Sequence, residues 1–197
     1  MSRESIKNTF SLMLITVIAG VLLGLVYEVT KEPIAREKMR AKEEAYKTVF
    51  ADAASFTEMG AIPEDTKEKL GEQGYDADID EIMEVKDSGG NHAGYVLTVT
   101  DHEGYGGDIQ FAMGVKADGT LNGISFLSIS ETAGLGMKAT EDKFKEQFAG
   151  KKVSKFSYTQ KGASSEDEID ALSGATITTN AVTNGVNAGL YYISTLQ

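Results

Sequence analysis

The chain contains no cysteine, which excludes disulfides, thiolate nucleophiles, iron–sulfur ligation and lipid attachment through an N-terminal cysteine. Any redox role must therefore come from a bound organic group. Histidine is nearly as scarce. His92 and His102 sit among turn residues and polar strand ends, with no H-E-x-x-H or comparable metal spacing, and both read as surface residues. Asp101, Glu103 and Asp108 flank a glycine-rich turn without EF-hand spacing. There is no long basic block either: 30 acidic residues stand against 19 basic ones, for a net charge of −11. Nucleic-acid binding is excluded on that balance, which suits a solvent-facing domain and allows steering toward a partner with a basic docking surface. No repeat or low-complexity tract is present.

One stretch lacks charge altogether. From Asn8 to Tyr27 there is no Asp, Glu, Lys or Arg, and Phe10, Leu12, Leu14, Ile15, Val17, Ile18, Val21, Leu22, Leu23, Leu25 and Val26 dominate. At about 1.5 Å per residue this run reaches roughly 30 Å, the thickness of a bilayer core, so a single crossing of the lipid bilayer is expected. Arg3 and Lys7 resemble the basic start of a secretory signal, but no small-x-small cleavage site separates the run from Glu28. Basic residues lie on both sides, Lys31, Arg36, Lys38 and Arg40 after the span, so charge alone does not orient it. Thr16 is the mid-span polar side chain; with no ionisable group in the span, this chain supplies no ion path. Gly20 and Gly24 make a small-residue face for a neighbouring helix.

The expected organisation is an anchor over 1–30, a helical linker over 31–50 and one domain over 51–197. Pro33 sits where a helix bends or restarts, and Ile34 to Phe50 reads as an exposed helix whose Ala35, Met39, Tyr46 and Phe50 form a modest apolar face for packing on the domain. Ala51 to Gly74 reads as loop with a short helix over Pro63–Gly71. Alternating segments then predict strands over Glu81–Lys86, Ala93–Thr100, Ile109–Val115 and Leu121–Ser130, with Asp118-Gly119 turning between the last two. Phe144 and Phe148, four apart among Lys and Glu, mark an amphipathic helix over Ala139–Phe148. Val153–Tyr158 reads as an edge strand, and Thr178–Leu196 as a helix whose Ala181, Val182, Val186, Ala188, Leu190 and Ile193 close the core. The fold class is α+β, an antiparallel sheet with flanking helices.

Three segments carry candidate chemistry. In Asp170-Ala171-Leu172-Ser173-Gly174-Ala175-Thr176, a threonine hydroxyl follows small residues at a helix start, where free amides and a partial positive charge suit a phosphate. The same residues fit a plain N-cap. Glu131-Thr132-Ala133-Gly134-Leu135-Gly136 is a glycine-spaced loop that brings backbone groups up to a planar ring, or an ordinary connection. Gly104-Tyr105-Gly106-Gly107 is a hairpin turn presenting one aromatic ring.

Asp170 with Ser173-Gly174-Ala175-Thr176 resembles the covalent flavinylation motif of the FMN-binding domain in the G subunit of Rnf-type ion-translocating oxidoreductases, to which the C subunit of sodium-translocating NADH:quinone oxidoreductases is related. The loop from Glu131 to Gly136 is similar to the Glu-Thr-x-Gly-x-Gly stretch that lines the flavin there, with Ala133 where proline is common. The resemblance implies that Thr176 is esterified to the FMN phosphate by a dedicated flavin transferase using FAD and magnesium. It implies that Ser173, Gly174, Ala175, Thr178, Glu131, Thr132, Gly134, Leu135, Gly136, Tyr105 and Gly106 contact the cofactor, with Leu135 or Met137 shielding a ring face. It further implies that the domain lies outside the cytoplasm, and that the chain carries electrons within a complex linking ferredoxin and NAD to ion movement. Two other readings stand beside this one: a membrane-tethered domain binding FMN reversibly, and a non-enzymatic binding or assembly protein in which Thr176 caps a helix.

Overall fold

The computed structural model describes residues 3–196, leaving the outermost residues of the expected anchor and domain outside the description. It contains two compact units, residues 1–41 and 42–197, so the division falls nine residues before the expected start of the domain at 51.

The first unit is helical. Helix α1 spans Arg3–Val49, and Pro33 lies inside it without ending it, in place of the expected restart. Its most apolar eighteen-residue window has a mean hydropathy of 2.5 and none of that window is buried within the protein, as a membrane-crossing segment requires. The Thr16 hydroxyl donates to the Leu12 carbonyl at 2.8 Å, so the mid-span polar group is satisfied within the helix.

The second unit is built on a five-stranded antiparallel meander, β1(Ser55–Glu58), β2(Ala77–Lys86), β3(His92–Asp101), β4(Ile109–Lys116) and β5(Leu121–Ser128), in sequential order. The turns fall where the sequence predicts them. Asp118 Oδ1 accepts the Thr120 amide at 2.9 Å and Gly119 takes φ +87°, which ties β4 to β5. The Gly104–Gly107 turn joins β3 to β4, whose register pairs Asp101 with Ile109. Strand β2 begins four residues before its expected start because a register shift between Ile79 and Glu81 interrupts its alternation. Strand β1, in a segment expected to be loop, has too few apolar residues to announce itself.

From Val96 onward every residue of β3 is buried, so both faces of the sheet are covered. Helix α4 (Thr176–Ser194) lies on one face, with Val182, Val186 and Ile193 in a core with Leu97, Val99, Phe111 and Met113. On the other, Ala45, Tyr46, Val49 and Phe50 pack with Val85, Val96 and Ala112. The expected packing face of the segment after the span is therefore realised by Tyr46 and Phe50, while Ala35 and Met39 are exposed. Tyr46 also bonds Glu81 and Thr98, each at 2.8 Å, and burial pushes its phenol well above the usual range.

The expected short helix is present as α2, which covers Thr66–Glu72 rather than Pro63–Gly71. Two further elements differ from expectation. The stretch expected as one amphipathic helix is a 3-10 turn over Gly136–Thr140 followed by a single turn, α3 (Asp142–Lys145). Its apolar pair is nonetheless inward: Phe144, Phe148 and Phe156 form successive edge-on contacts with centroids 5.6 and 5.1 Å apart. The expected edge strand over Val153–Tyr158 is instead β6(Ser157–Thr159), which leaves the main sheet and pairs in parallel with β7(Glu168–Asp170). The cause is Asn187, a buried residue of α4 whose amide clasps both backbone groups of Phe156, at 2.7 and 2.9 Å.

Candidate functional site

Strand β7 runs directly into the threonine motif, and local hydrogen bonds fix its path. Asp170 is committed to scaffolding. Its Oδ1 accepts the Ala163 amide at 2.6 Å, and its own amide donates to Gln147 Oε1 at 2.6 Å. Gly174 takes φ +75°, a conformation that favours glycine, and this turns the chain into α4.

The three threonines that follow have distinct surroundings. Thr176 is the first residue of α4, the capping position belongs to Ala175, and no side chain caps the helix. The expectation that Thr176 could be an ordinary N-cap is thus corrected: its side chain is exposed, and its Oγ1 accepts from Gln160 Nε2 at 3.3 Å. Thr178 is buried and donates to Glu131 Oε2 at 2.8 Å. Thr179 is the residue that secures the loop, since its hydroxyl accepts the Leu172 amide and donates to the Ala175 carbonyl, both at 3.0 Å. The first backbone bond entering the helix runs from Thr179 N–H to the Ala175 carbonyl, which leaves the amides of Thr176, Ile177 and Thr178 without an intrahelical partner.

Glu131 joins all three candidate segments. Buried at the end of the β5 connection, it accepts the Gly106 amide on Oε1 at 3.0 Å and the Thr178 hydroxyl on Oε2. Gly136 leaves room for this pair, since a Cβ there would lie 2.5 Å from Thr178 Oγ1 and 2.7 Å from Glu131 Oε2. The carboxylate thereby pins the tyrosine turn, its own loop and the start of α4 around one opening.

That opening is a cleft of about 550 Å³ lined by Tyr105, Glu131, Thr132, Leu135, Gly136, Gly174, Ala175, Thr176, Ile177 and Thr178. Its size falls in the range of cofactor sites. Tyr105, Ile177 and Leu135 are 70, 52 and 42 % exposed, leaving apolar surface at the cleft that nothing among the described residues covers. Among the lining residues none is cationic, so positive potential there comes from the α4 amides.

Of the residues expected at the site, three stand outside the lining. Gly106 acts through its amide on Glu131. Gly134, at φ +75°, shapes the loop. Ser173 lies on a second cleft of about 490 Å³ with Lys138, Lys143, Gln147 and Leu172. Met137 is likewise absent from the lining, whereas Leu135 is part of it. Sequence reading missed Ile177, although a large apolar residue beside an exposed threonine at a helix start is a detectable signal. It also missed Gln160 and Thr179, whose roles depend on contacts that spacing does not encode. Among the described residues no group of His, Asp and Glu side chains is arranged to hold a metal ion.

Beside the tyrosine turn, His102 bridges Asp108 (2.9 Å) and Asp78 (3.0 Å), and Asp78 also pairs with Lys67 at 2.9 Å. The hydrogen bonds to Asp108 and Asp78 raise the His102 pKa above its usual value.

Comparison with known proteins gives a consistent result. A family profile described as the FMN-binding domain matches residues 104–191, and one described as the RnfG N-terminal region matches residues 1–49. The G subunit of the Na(+)-translocating ferredoxin:NAD(+) oxidoreductase complex of Acetobacterium woodii is 33 % identical over 190 residues, spanning 94 % of this chain and 90 % of that protein. The G subunit of the ion-translocating oxidoreductase complex of Methanosarcina acetivorans is 30 % identical over 194 residues, spanning 98 % and 96 %. Among solved structures, NqrC of Shewanella oneidensis aligns with a TM-score of 0.48 at 22 % identity, over 56 % of this chain and 54 % of that one.

Proposed function

Because this chain belongs to the RnfG family, the G subunits of Rnf-type ion-translocating oxidoreductases, we propose that it carries FMN in the Tyr105–Glu131–Thr176 cleft, esterified through its phosphate to the Thr176 hydroxyl. The chain is an electron-transfer subunit of a membrane-bound redox complex, anchored by one apolar helix.

The observation that carries the attachment is the contrast among the threonines. The hydroxyls of Thr178 and Thr179 are buried and engaged, whereas Thr176 Oγ1 faces the cleft edge with a single amide donor as its partner. An amide donor does not take a proton from the hydroxyl, which suits a modification performed by a separate transferase rather than by this chain. Electrostatics favours a covalent bond over reversible binding. A phosphate would meet the amides of Ile177 and Thr178 but no Lys or Arg, with the Glu131 carboxylate nearby. Such a site holds an anion weakly, and a bond through Oγ1 removes the need for tight binding.

Bound there, the flavin would supply the electron-accepting and electron-donating chemistry. Leu135, Ile177 and Tyr105 present apolar surface to its ring, Thr132 and the neighbouring backbone present polar groups, and Glu131 holds the three walls in place. The reading extends to a domain on the extracytoplasmic side of the membrane, with the other proteins of the complex and the flavin transferase as partners.

The test is mass spectrometry of the exported chain co-expressed with the transferase. A mass gain equal to an FMN phosphoester is expected on the peptide containing Thr176, lost in Thr176→Ala and kept in Thr178→Ala. Flavin that is bound natively but released by denaturant would favour reversible binding. Colourless protein under these conditions would overturn the proposal.

A further inference from the structure

Asp101 ends β3 on the face covered by α4, and it is 0 % exposed. Its Oδ1 accepts the Glu103 amide at 2.9 Å. Its Oδ2 has no partner in the protein and is, among the described residues, the one buried side-chain oxygen or nitrogen in that position. The packing explains why. Across the ladder Asp101 stands opposite Ala77 of β2 and Ile109 of β4. From α4 it meets Gly185, where a Cβ would lie 3.3 Å from the Asp101 Cβ. None of the three brings a side-chain donor.

The charged groups around it do not favour ionisation. Asp76 adjoins the β2 end and Glu103 follows in the turn, its carboxylate held by Asn184 of α4 at 2.7 Å. The positive group that bears on Asp101 is His102, which is already committed to Asp108 and Asp78. A buried carboxylate oxygen with neither donor nor cation is far costlier than a protonated one. Burial accordingly pushes the Asp101 carboxyl up to about 7, with the Glu103 amide acting against it.

Asp101 is also coupled to the cleft. The Glu103 amide that binds it opens the turn whose Gly106 amide binds Glu131, so one short backbone segment links the two carboxyls. Along α4, the seven residues from Thr178 to Gly185 correspond to roughly 10 Å. A unit charge at that distance, with an effective dielectric of about 20, shifts a proton affinity by about one pH unit.

We infer that Asp101 is a redox-linked proton site, taking up a proton from solvent when the cleft gains an electron and returning it when the electron leaves. The inference rests on the reading that the cleft carries FMN. In the forward step a one-electron donor of the ferredoxin class is oxidised and the group in the cleft is reduced, adding one negative charge. In molecules whose Asp101 is ionised, a proton from water forms an O–H bond at Oδ2 and offsets the added charge; a coupling of about one pH unit makes this a fraction of a proton per electron on average. On reoxidation the electron passes to the next acceptor, the O–H bond breaks and the proton returns to solvent.

Two measurements test this. On the full-length, flavin-loaded protein, the midpoint potential is followed from mildly acid to mildly alkaline pH in wild type, Asp101→Asn and Asp76→Asn. The pH dependence near neutral should be shared by wild type and Asp76→Asn and should be weaker in Asp101→Asn, where only the flavin's own ionisation remains; the same pH dependence in all three overturns the inference. On the cofactor-free chain, carbon NMR assigned through the Asp101 backbone should show its carboxyl still protonated at mildly acid pH, when most exposed carboxyls have ionised. Titration of Asp101 in the ordinary carboxylate range overturns the inference without reference to flavin and without a variant. A chain that binds no flavin removes the redox link together with the functional reading, and the NMR titration then still reports whether Asp101 stores a proton, so the two failures are distinguishable.

Discussion

Glu131 holds the cleft by accepting two hydrogen bonds from different segments, and its replacements should separate charge from connectivity. Glu131→Ala leaves the Gly106 amide and the Thr178 hydroxyl without their acceptor and should cost about 2–3 kcal/mol in urea unfolding, with loss of retained flavin. Glu131→Gln keeps one acceptor, and the Thr178 hydroxyl can rotate to accept from the new amide, so a cost below about 1 kcal/mol is expected. Equal losses in the two variants would show that charge, not connectivity, is what matters. His102 gives a pH-dependent prediction. Its folded pKa is raised above the ordinary 6.5, chiefly by the hydrogen bond to Asp108. The stabilisation is therefore complete below pH 6.5 and is lost as pH rises through the folded value. His102→Gln should be less stable than wild type by roughly 0.5–1 kcal/mol in mildly acid buffer, and the gap should close at alkaline pH; a constant gap in thermal melts across pH would refute the assignment. At this scale the threonine, the glutamate and the glycine loop that line the cleft were reached through the family resemblance of their motifs, since their local chemistry also fits a helix cap and an ordinary connection. Thr179 and Gln160 were not, because each acts through a partner several or many residues away.

The end of α1 behaves as an element of the folded unit. Ala45, Tyr46, Val49 and Phe50 cover Val85, Val96 and Ala112 on the sheet face opposite α4, and Lys42 pairs with Glu81. A chain beginning at Lys42 should unfold in one cooperative transition. A chain beginning at Ala51 exposes that apolar face and should aggregate or melt at much lower temperature, as light scattering and calorimetry would record. Equal stability of the two would show that the helix end is dispensable. Tyr46→Phe, which removes the partner of buried Thr98, should cost about 1–2 kcal/mol without altering flavin retention. The strands of the meander were readable from alternation and turn residues, whereas β6 and β7 were not: their pairing is parallel, three residues long and imposed by Asn187 from a distant helix. The amphipathic signal at Phe144 and Phe148 gave the burial of both rings correctly and the regularity of the helix wrongly, since a few residues of 3-10 and α turn suffice to point them inward.

Over the whole molecule, the uncharged run of α1 and the net charge of −11 describe a membrane-held, water-facing protein. The full chain should stay with membranes through an alkaline carbonate wash that releases peripheral proteins, while the chain beginning at Lys42 should remain in the aqueous phase; release of the full chain would refute the anchor. Sequence reading reached this level because hydropathy and composition are averages that survive local error. The meander has a consequence in time. Its strands pair with their sequence neighbours, so the sheet can assemble progressively as the polypeptide emerges. The cleft cannot, because α4, which contributes Thr176 and Thr178, follows every strand. A maturation enzyme that recognised the finished wall would meet Thr176 in its proper shape only after the rest of the fold had closed, which would make the proposed loading of the pigment a late checkpoint on correctly folded chains.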